Sequence, residues 1–472
     1  MRTLLRSASL AMILAGGGAS IVASAATGAG AGAADAVDGR WNASLTTQNG
    51  NVIPFRLDIS GSGPTLKGTL YNGFEPYEDT TSATFQDGKL VLNIEHYLTT
   101  ITASVKDGQL TGDVATQNRG ASAQYSFQAT RYVKPAAAVA DVPSIAGSWE
   151  IPLDTPSSKG EKAFRFIVQQ RGPDVAASIL RVDGDTGAYS GTYKDDRWVL
   201  SHFDGSRPGV IVVSLAKDGT LAILQNPERV EQTSTRTSTG APSGKTYDDS
   251  IADGRYAPAL VAYRSEVARA KGLPEPANYE THTTVRDPNE TFAFNFPDVN
   301  GKLISNEDPR FKGKVVLAIV TGTWCPNCHD EAQYLVKLDK KYRDKGLAIV
   351  ALDFEEPEQQ GSLARERAFV KQYGVKYTYL IAGAPAEMWE KVPQAVNLNT
   401  WPATLFIGRD GRVKGIHSGF ASPASGEFNR QLQKEFTTKI EQLLVEKPTA
   451  GGALSTASAA TSGPELISLP AP

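Results

Sequence analysis

The chain of 472 residues has only two cysteines, and they stand together in Trp324-Cys325-Pro326-Asn327-Cys328. Any disulfide within one molecule must join this pair, and so short a spacer cannot staple distant parts of a fold. The pair points to chemistry rather than to cross-linking. A Cys-x-x-Cys pair supports reversible dithiol-disulfide exchange. With His329 next in line, the same residues also spell the attachment signature of a c-type haem, in which both thiols bond to the porphyrin and the histidine ligates iron. An axial methionine would then have to be Met388, the only one beyond the N-terminal segment. Structural zinc usually draws ligands from two separated knuckles, and Cys325, Cys328 and His329 have no second one, so no metal is expected. His96, His202, His282 and His417 are scattered and read as surface or satisfied residues. A Pro-x-x-x-Thr-x-x-Cys peroxidase loop is absent, because Thr323 lies too close to Cys325.

The segments around the pair favour exchange. Apolar runs Val315 to Val320, Leu347 to Leu352, Tyr377 to Ile381 and Thr404 to Ile407 read as buried strands. Between them lie helical stretches over 326–344, 363–373 and 386–392. Asp410-Gly411 turns the chain into a further strand, Arg412 to His417, and Phe428 to Leu444 gives a last helix. This order is that of a thioredoxin-like α/β domain. Cys325 falls where the first strand turns into the first helix, at unpaired amides and the positive dipole end that favour a thiolate. It is therefore the candidate nucleophile, and Cys328, one turn on, the resolving thiol. Glu331 follows one turn later. The preceding strand Val315 to Val320 carries no acid, and read by itself Glu331 is an ordinary solvated helix residue.

Residues 291–447 resemble the TlpA/ResA-type exported thioredoxin-like thiol-disulfide oxidoreductases. The resemblance rests on Phe296-Pro297-Asp298 with Asn300-Gly301-Lys302, Phe311-Lys312-Gly313-Lys314, Thr323-Trp324-Cys325-x-x-Cys328, and Trp401-Pro402-Ala403-Thr404 before Asp410-Gly411. It implies that Glu331 assists proton transfer near the cysteines. It also implies that Pro402 is a cis-proline lying against them and positioning an incoming peptide. Trp324, Trp401, Pro326 and Asn327 are the implied walls of the substrate site. Client proteins with disulfides or thiols, including those of apocytochromes and metal-site proteins, and a membrane thiol-disulfide electron donor are the implied partners. No cofactor is implied.

The region before 240 has another texture. Short Val/Ile/Leu/Phe/Tyr/Thr runs alternate with Asn49-Gly50, Asp87-Gly88, Asp107-Gly108 and Asp218-Gly219, the pattern of antiparallel hairpins. The region also repeats. Gly39-Arg40-Trp41 matches Gly147-Ser148-Trp149, Phe55-Arg56-Leu57 matches Phe164-Arg165-Phe166, Phe85 to Leu92 matches Tyr193 to Leu200, and Lys106-Asp107-Gly108 matches Lys217-Asp218-Gly219. The offsets are 108, 109, 108 and 111. A duplicated all-β module follows, with units at 38–133 and 144–231, built either as two small barrels or as two halves of a sandwich. The Gly-x-Trp openings resemble the first strand of lipocalin-like barrels, and Trp41 and Trp149 read as core-filling aromatics. Residues 232–290 read as a linker with a short helix centred on Leu260, Val261, Tyr263 and Val267.

The N-terminus carries Arg2, Arg6, an apolar run from Leu10 to Leu14 and Ala23-Ser24-Ala25, which fits a signal peptide over 1–25 followed by a flexible leader over 26–37. An exported, periplasmic protein without stable membrane insertion is expected. Residues 448–472, rich in Ala, Ser, Gly and Pro, read as a disordered tail. A formal net charge of -3 gives no footprint for nucleic acid.

Overall fold

The computed structural model describes residues 36–48, 50–118, 121–133, 141–206, 208–225 and 259–446. The expected signal peptide, most of the leader, Asn49 of the first turn, much of the linker and the tail lie outside them. Among the described residues no helix is long and apolar enough to cross a membrane.

The first β region is one nine-stranded antiparallel sheet. Its strands are β1 (Gly39–Thr46), β2 (Val52–Ser60), β3 (Lys67–Asn72), β4 (Glu75–Asp79), β5 (Ser82–Gln86), β6 (Lys89–Ile94), β7 (Thr99–Lys106), β8 (Gln109–Asn118) and β9 (Ala121–Arg131). Each strand pairs with its sequence neighbour except across β4 and β5, and β1 also pairs with β9. The sheet thus curls into a barrel with one seam free of ladder bonds. Alternate residues point inward: Trp41, Leu45, Leu57, Leu70, Leu90, Leu92, Ile101, Leu110 and Phe127 form its core.

The second sheet comprises β10 (Gly147–Pro152), β11 (Ala163–Arg171), β12 (Asp174–Arg181), β13 (Gly184–Asp185), β14 (Tyr189–Lys194), β15 (Arg197–His202), β16 (Gly209–Leu215), β17 (Leu221–Gln225) and β18 (Leu260–Arg264). Here the ladder closes completely, with β11 on β12 and β18 between β10 and β17. Two barrels, not one sandwich, make up the N-terminal part, each with its own core and joined where Phe203 and Val210 of the second pack into the first.

β18 corrects the expected boundary at 231 and the helix expected around Leu260. That segment is a strand, and only Ser265–Ala270 is helical. The run Leu260, Val261, Tyr263 satisfies either period when read alone. Pairing with two waiting strand edges decides it, and leaves Ala262 buried and Val261 exposed. The two barrels are closed alike at this end. Arg131 lies 4.1 Å over the Trp41 ring and Arg264 lies 4.0 Å over Trp149, while each indole donates to a carbonyl four residues upstream, Val37 and Ile145.

The C-terminal domain is a five-stranded sheet in the order Thr378–Gly383, Leu347–Phe354, Val315–Thr321, Ala403–Ile407, Val413–Ser418. The first three strands run parallel and the last two antiparallel. Central Val315–Thr321 is buried along its whole length, as its unbroken apolar run requires. Helices Pro326–Tyr342, Ala364–Tyr373 and Glu427–Val445 pack against the sheet through Leu335, Leu338, Phe369, Phe436 and Ile440. Ile167 and Leu180 of the second barrel belong to the same apolar cluster, so barrel and redox domain share a core.

Candidate active site

Val315–Thr321 delivers the chain to Gly322-Thr323-Trp324, and Cys325 caps the helix that follows, with Pro326 at its first position. The Cys325 carbonyl accepts the first helical bonds, from the Cys328 amide at 3.0 Å and the His329 amide at 3.3 Å. Cys325 thus sits at the positive end of a 17-residue helix. Its Sγ donates to the Trp401 carbonyl at 3.5 Å. The Trp401–Pro402 bond is cis, and the Pro402 carbonyl accepts from the Gly419 amide at 2.8 Å. Trp324 and Trp401 meet edge to face at 5.1 Å and cluster with both cysteines.

Both thiols are buried, Cys328 the more deeply. Cys325 keeps 5% of its surface exposed and Cys328 1%. Burial, reinforced by neighbouring Cys325, pushes the Cys328 thiol well above its ordinary range. Glu331 is not a solvated helix residue. It is 1% exposed, its Oε1 accepts from the Thr404 hydroxyl, and its Oε2 has no hydrogen-bond partner. Burial raises its pKa to about 8, against the bond from Thr404, with the charge of Cys325 adding to the rise. A carboxyl that still holds its proton at neutral pH therefore lies within electrostatic reach of the reactive sulfur.

The loop before the cysteines is held by a network that nothing in the motif announces. The Thr323 hydroxyl donates to Glu355, Arg365 Nε donates to the Thr323 hydroxyl at 3.0 Å, and Arg365 pairs with both Glu355 and Glu356. All four side chains are buried. Asp353 and Glu366 stand beside them, and one carboxylate oxygen from each of these two and one from Glu355 lie within 4.8 Å of one another. Burial, with the charge of Glu355 next, pushes the Asp353 carboxyl well up, and burial raises Glu366 to about 7. One arginine cannot neutralise four carboxylates, so protons take up the excess.

His329 faces inward. Its Nε2 lies 2.6 Å from the Thr323 carbonyl and its Nδ1 2.9 Å from the Tyr373 hydroxyl. With both nitrogens engaged by protein, neither is aimed where an iron-bearing porphyrin on these thiols could use it. The first barrel packs on the same ring: Tyr97 lies 4.3 Å and His96 5.2 Å from it, centroid to centroid. His96 corrects the expectation of a satisfied or surface residue. It is fully buried, neither ring nitrogen has a hydrogen-bond partner, and burial lowers its pKa to about 4. Glu78 of β4 accepts from Gln372 at 2.8 Å and lies 3.1 Å from the Tyr373 hydroxyl, and Tyr77 donates to Asp330 at 2.9 Å. The second barrel reaches the spacer itself. Asn327, expected to face a client, is turned toward that barrel and donates to the Asp183 carbonyl at 2.8 Å.

The expected residues Cys325, Cys328, Glu331, Trp324, Trp401 and Pro402 thus come together, while Asn327 is taken up by the β module. Missed were Thr323, Glu355, Arg365, the ring cluster of the first barrel and the Asp183 loop. Asp183-Gly184 carried a turn signal, but nothing in it pointed toward residues more than 140 positions away.

The Redoxin family model matches residues 286–432. Thiol-disulfide oxidoreductase ResA of Bacillus thuringiensis subsp. konkukian is 31% identical over 143 residues, which cover 30% of this chain and 72% of that protein. Thioredoxin-like protein YneN of Bacillus subtilis is 34% identical over 128 residues, covering 26% and 69%. On the cysteine pair, the fold that carries it and this similarity, the chain belongs to the ResA-type family of thioredoxin-like thiol-disulfide oxidoreductases.

Proposed function

We propose that the protein is an exported reductase of client protein disulfides working through Cys325 and Cys328. The Cys325 thiolate attacks one sulfur of the client disulfide. That bond breaks, a mixed disulfide forms, and the other client sulfur leaves as a thiolate that takes up a proton. Cys328 then gives its proton to Glu331 in the minority of molecules that carry it ionised at neutral pH, and attacks the Cys325 sulfur, releasing the second client sulfur as a thiolate. Two electrons have passed to the client, and the pair is left as a disulfide for a membrane dithiol donor to reduce.

The observation that carries this reading is the asymmetry of the pair. One sulfur lies at a helix N-terminus against the Trp401 carbonyl, and the other is buried with its pKa driven up, three residues before a carboxyl whose own pKa is about 8. The N-terminal sequence supports export. The repeat offsets and the matching Arg-over-Trp closures support an origin of the two barrels by duplication of one unit. Equilibration in redox buffers tests the direction of electron flow. A potential near about -270 mV supports a reductase, and one near about -120 mV reverses the assignment to an oxidant.

A further inference from the structure

The hairpin between β12 and β13 is built into the redox site from another domain. The Asp183 carbonyl accepts from Asn327 Nδ2 at 2.8 Å and from the Phe420 amide at 3.3 Å, and Gly184 bridges Phe420 in parallel. Two glycines permit this approach. A Cβ on Gly184, at φ +120, would stand 2.3 Å from the Phe420 carbonyl oxygen, and one on Gly419, at φ +70, would stand 2.3 Å from the Val182 carbonyl oxygen. The next residue locks the contact. Buried Asp185 accepts from the Ser422 amide at 2.7 Å, the Ser422 hydroxyl at 2.9 Å and the Ser425 hydroxyl at 2.6 Å.

This hairpin covers the Asn327 and Phe420 side of Cys325, and Tyr77 and Tyr97 of the first barrel cover the His329 and Asp330 side. Trp401, whose carbonyl faces the Cys325 Sγ, is only half-buried, and Cys325 itself is left 5% exposed.

We infer that the Val182–Gly184 hairpin is a specificity element that restricts Cys325 to disulfides on narrow, extended peptide segments and excludes those on folded surfaces. The inference rests on the exchange reading given above. Its determinants are Gly184, which lets the hairpin dock, and Asp185, which holds it.

The test compares reduction of a short cysteine peptide's disulfide dimer with reduction of insulin, under dithiothreitol turnover, in the full chain and in Gly184→Val and Asp185→Ala. Release of the hairpin should raise insulin reduction relative to peptide reduction about tenfold, because reactivity toward a bulky client scales with the open fraction. An unchanged ratio in both variants, with near-UV circular dichroism intact, overturns the inference. A readout independent of turnover uses a Cys328→Ser background, where Cys325 is the sole thiol. Alkylation by a polymer-tethered maleimide should lag N-ethylmaleimide there, and the lag should vanish in the hairpin variants. Equal rates with both reagents before any hairpin change also overturn it. If the wild-type chain reduces neither substrate, the exchange reading fails, and the alkylation ratio still decides whether the hairpin guards Cys325.

Discussion

The two barrels are closed alike, with Arg131 over Trp41 and Arg264 over Trp149, yet they meet the redox helix by different means. The first barrel offers side chains: Tyr77, Glu78, His96 and Tyr97 pack around His329, Asp330 and Tyr373. The second offers backbone, the Asp183 carbonyl and Gly184, secured by one buried carboxylate. A similar scaffold thus carries two unrelated contacts at its edges. Closure is set by the barrel's own core, whereas the contact with the redox helix falls to different residues in each: Tyr77 and Glu78 of β4 with His96 and Tyr97 in the first, the Asp183-Gly184 turn in the second. Both cysteines lie in the C-terminal domain, so the chemistry lies there, while the barrels govern access to it.

Substitutions can break that division. The largest effect belongs to Cys325→Ser, which should abolish disulfide reduction in a turnover assay while leaving the circular dichroism of both barrels unchanged; residual full activity would move the chemistry elsewhere. Next comes Arg365→Met. It strips the counter-charge from buried Glu355 and Glu356 and should cost about 3–5 kcal/mol in chemical denaturation, because a broken buried pair leaves its partner uncompensated. The loss should be confined to the C-terminal transition if barrels and redox domain unfold separately.

Glu331→Gln should slow the release of mixed disulfide by about a hundredfold in stopped-flow turnover, the lower range for removing a general base. It also has a signature in stability. The folded pKa of Glu331, about 8, lies above its ordinary 4.5, so the native state holds the proton more tightly than the unfolded one. Stability from this group is complete below about pH 4.5 and is lost as pH rises toward 8. Glu78, raised to about 7 chiefly by burial, acts in the same direction over a shorter window. Buried His96, lowered to about 4, acts in the opposite direction below about pH 6.5, so thermal melts of the wild type should fall between about pH 6.5 and 8, and those of Glu331→Gln should fall less. The smallest effect is the sharpest probe of the likeness between the barrels. Arg131→Ala and Arg264→Ala should each cost about 1 kcal/mol, the range of a cation–π contact at a partly exposed site, without altering the redox potential. Unequal costs would show that the two closures are alike in form only.

The cysteine pair, the strand before it, the helix after it and the proline at 402 were legible because each is a local signal, carried by a few adjacent residues with one strong preference. Two β units were legible for a related reason, since the repeat compares the chain with itself. The strand Leu260–Arg264 was not, because a short apolar run satisfies both periods and only the edges of β10 and β17 select one. Nor was the burial of His96 and Glu331. Each depends on elements from far along the chain arriving to exclude water, and an isolated histidine or a helix glutamate carries no mark of that. Asn327 shows the same limit from inside the motif: its position was evident, but its partner, Asp183, lies 144 residues upstream.

The central claim is that Cys325 and Cys328 form a reversible two-electron couple. It is tested most directly by equilibrating the full chain in dithiothreitol buffers of graded potential and quantifying free thiols by alkylation and intact mass. The account predicts one transition in which both thiols disappear together into an intramolecular disulfide, fully reversible and absent in Cys325→Ser. Thiols that oxidise one at a time, or that never pair across the accessible range, would contradict it.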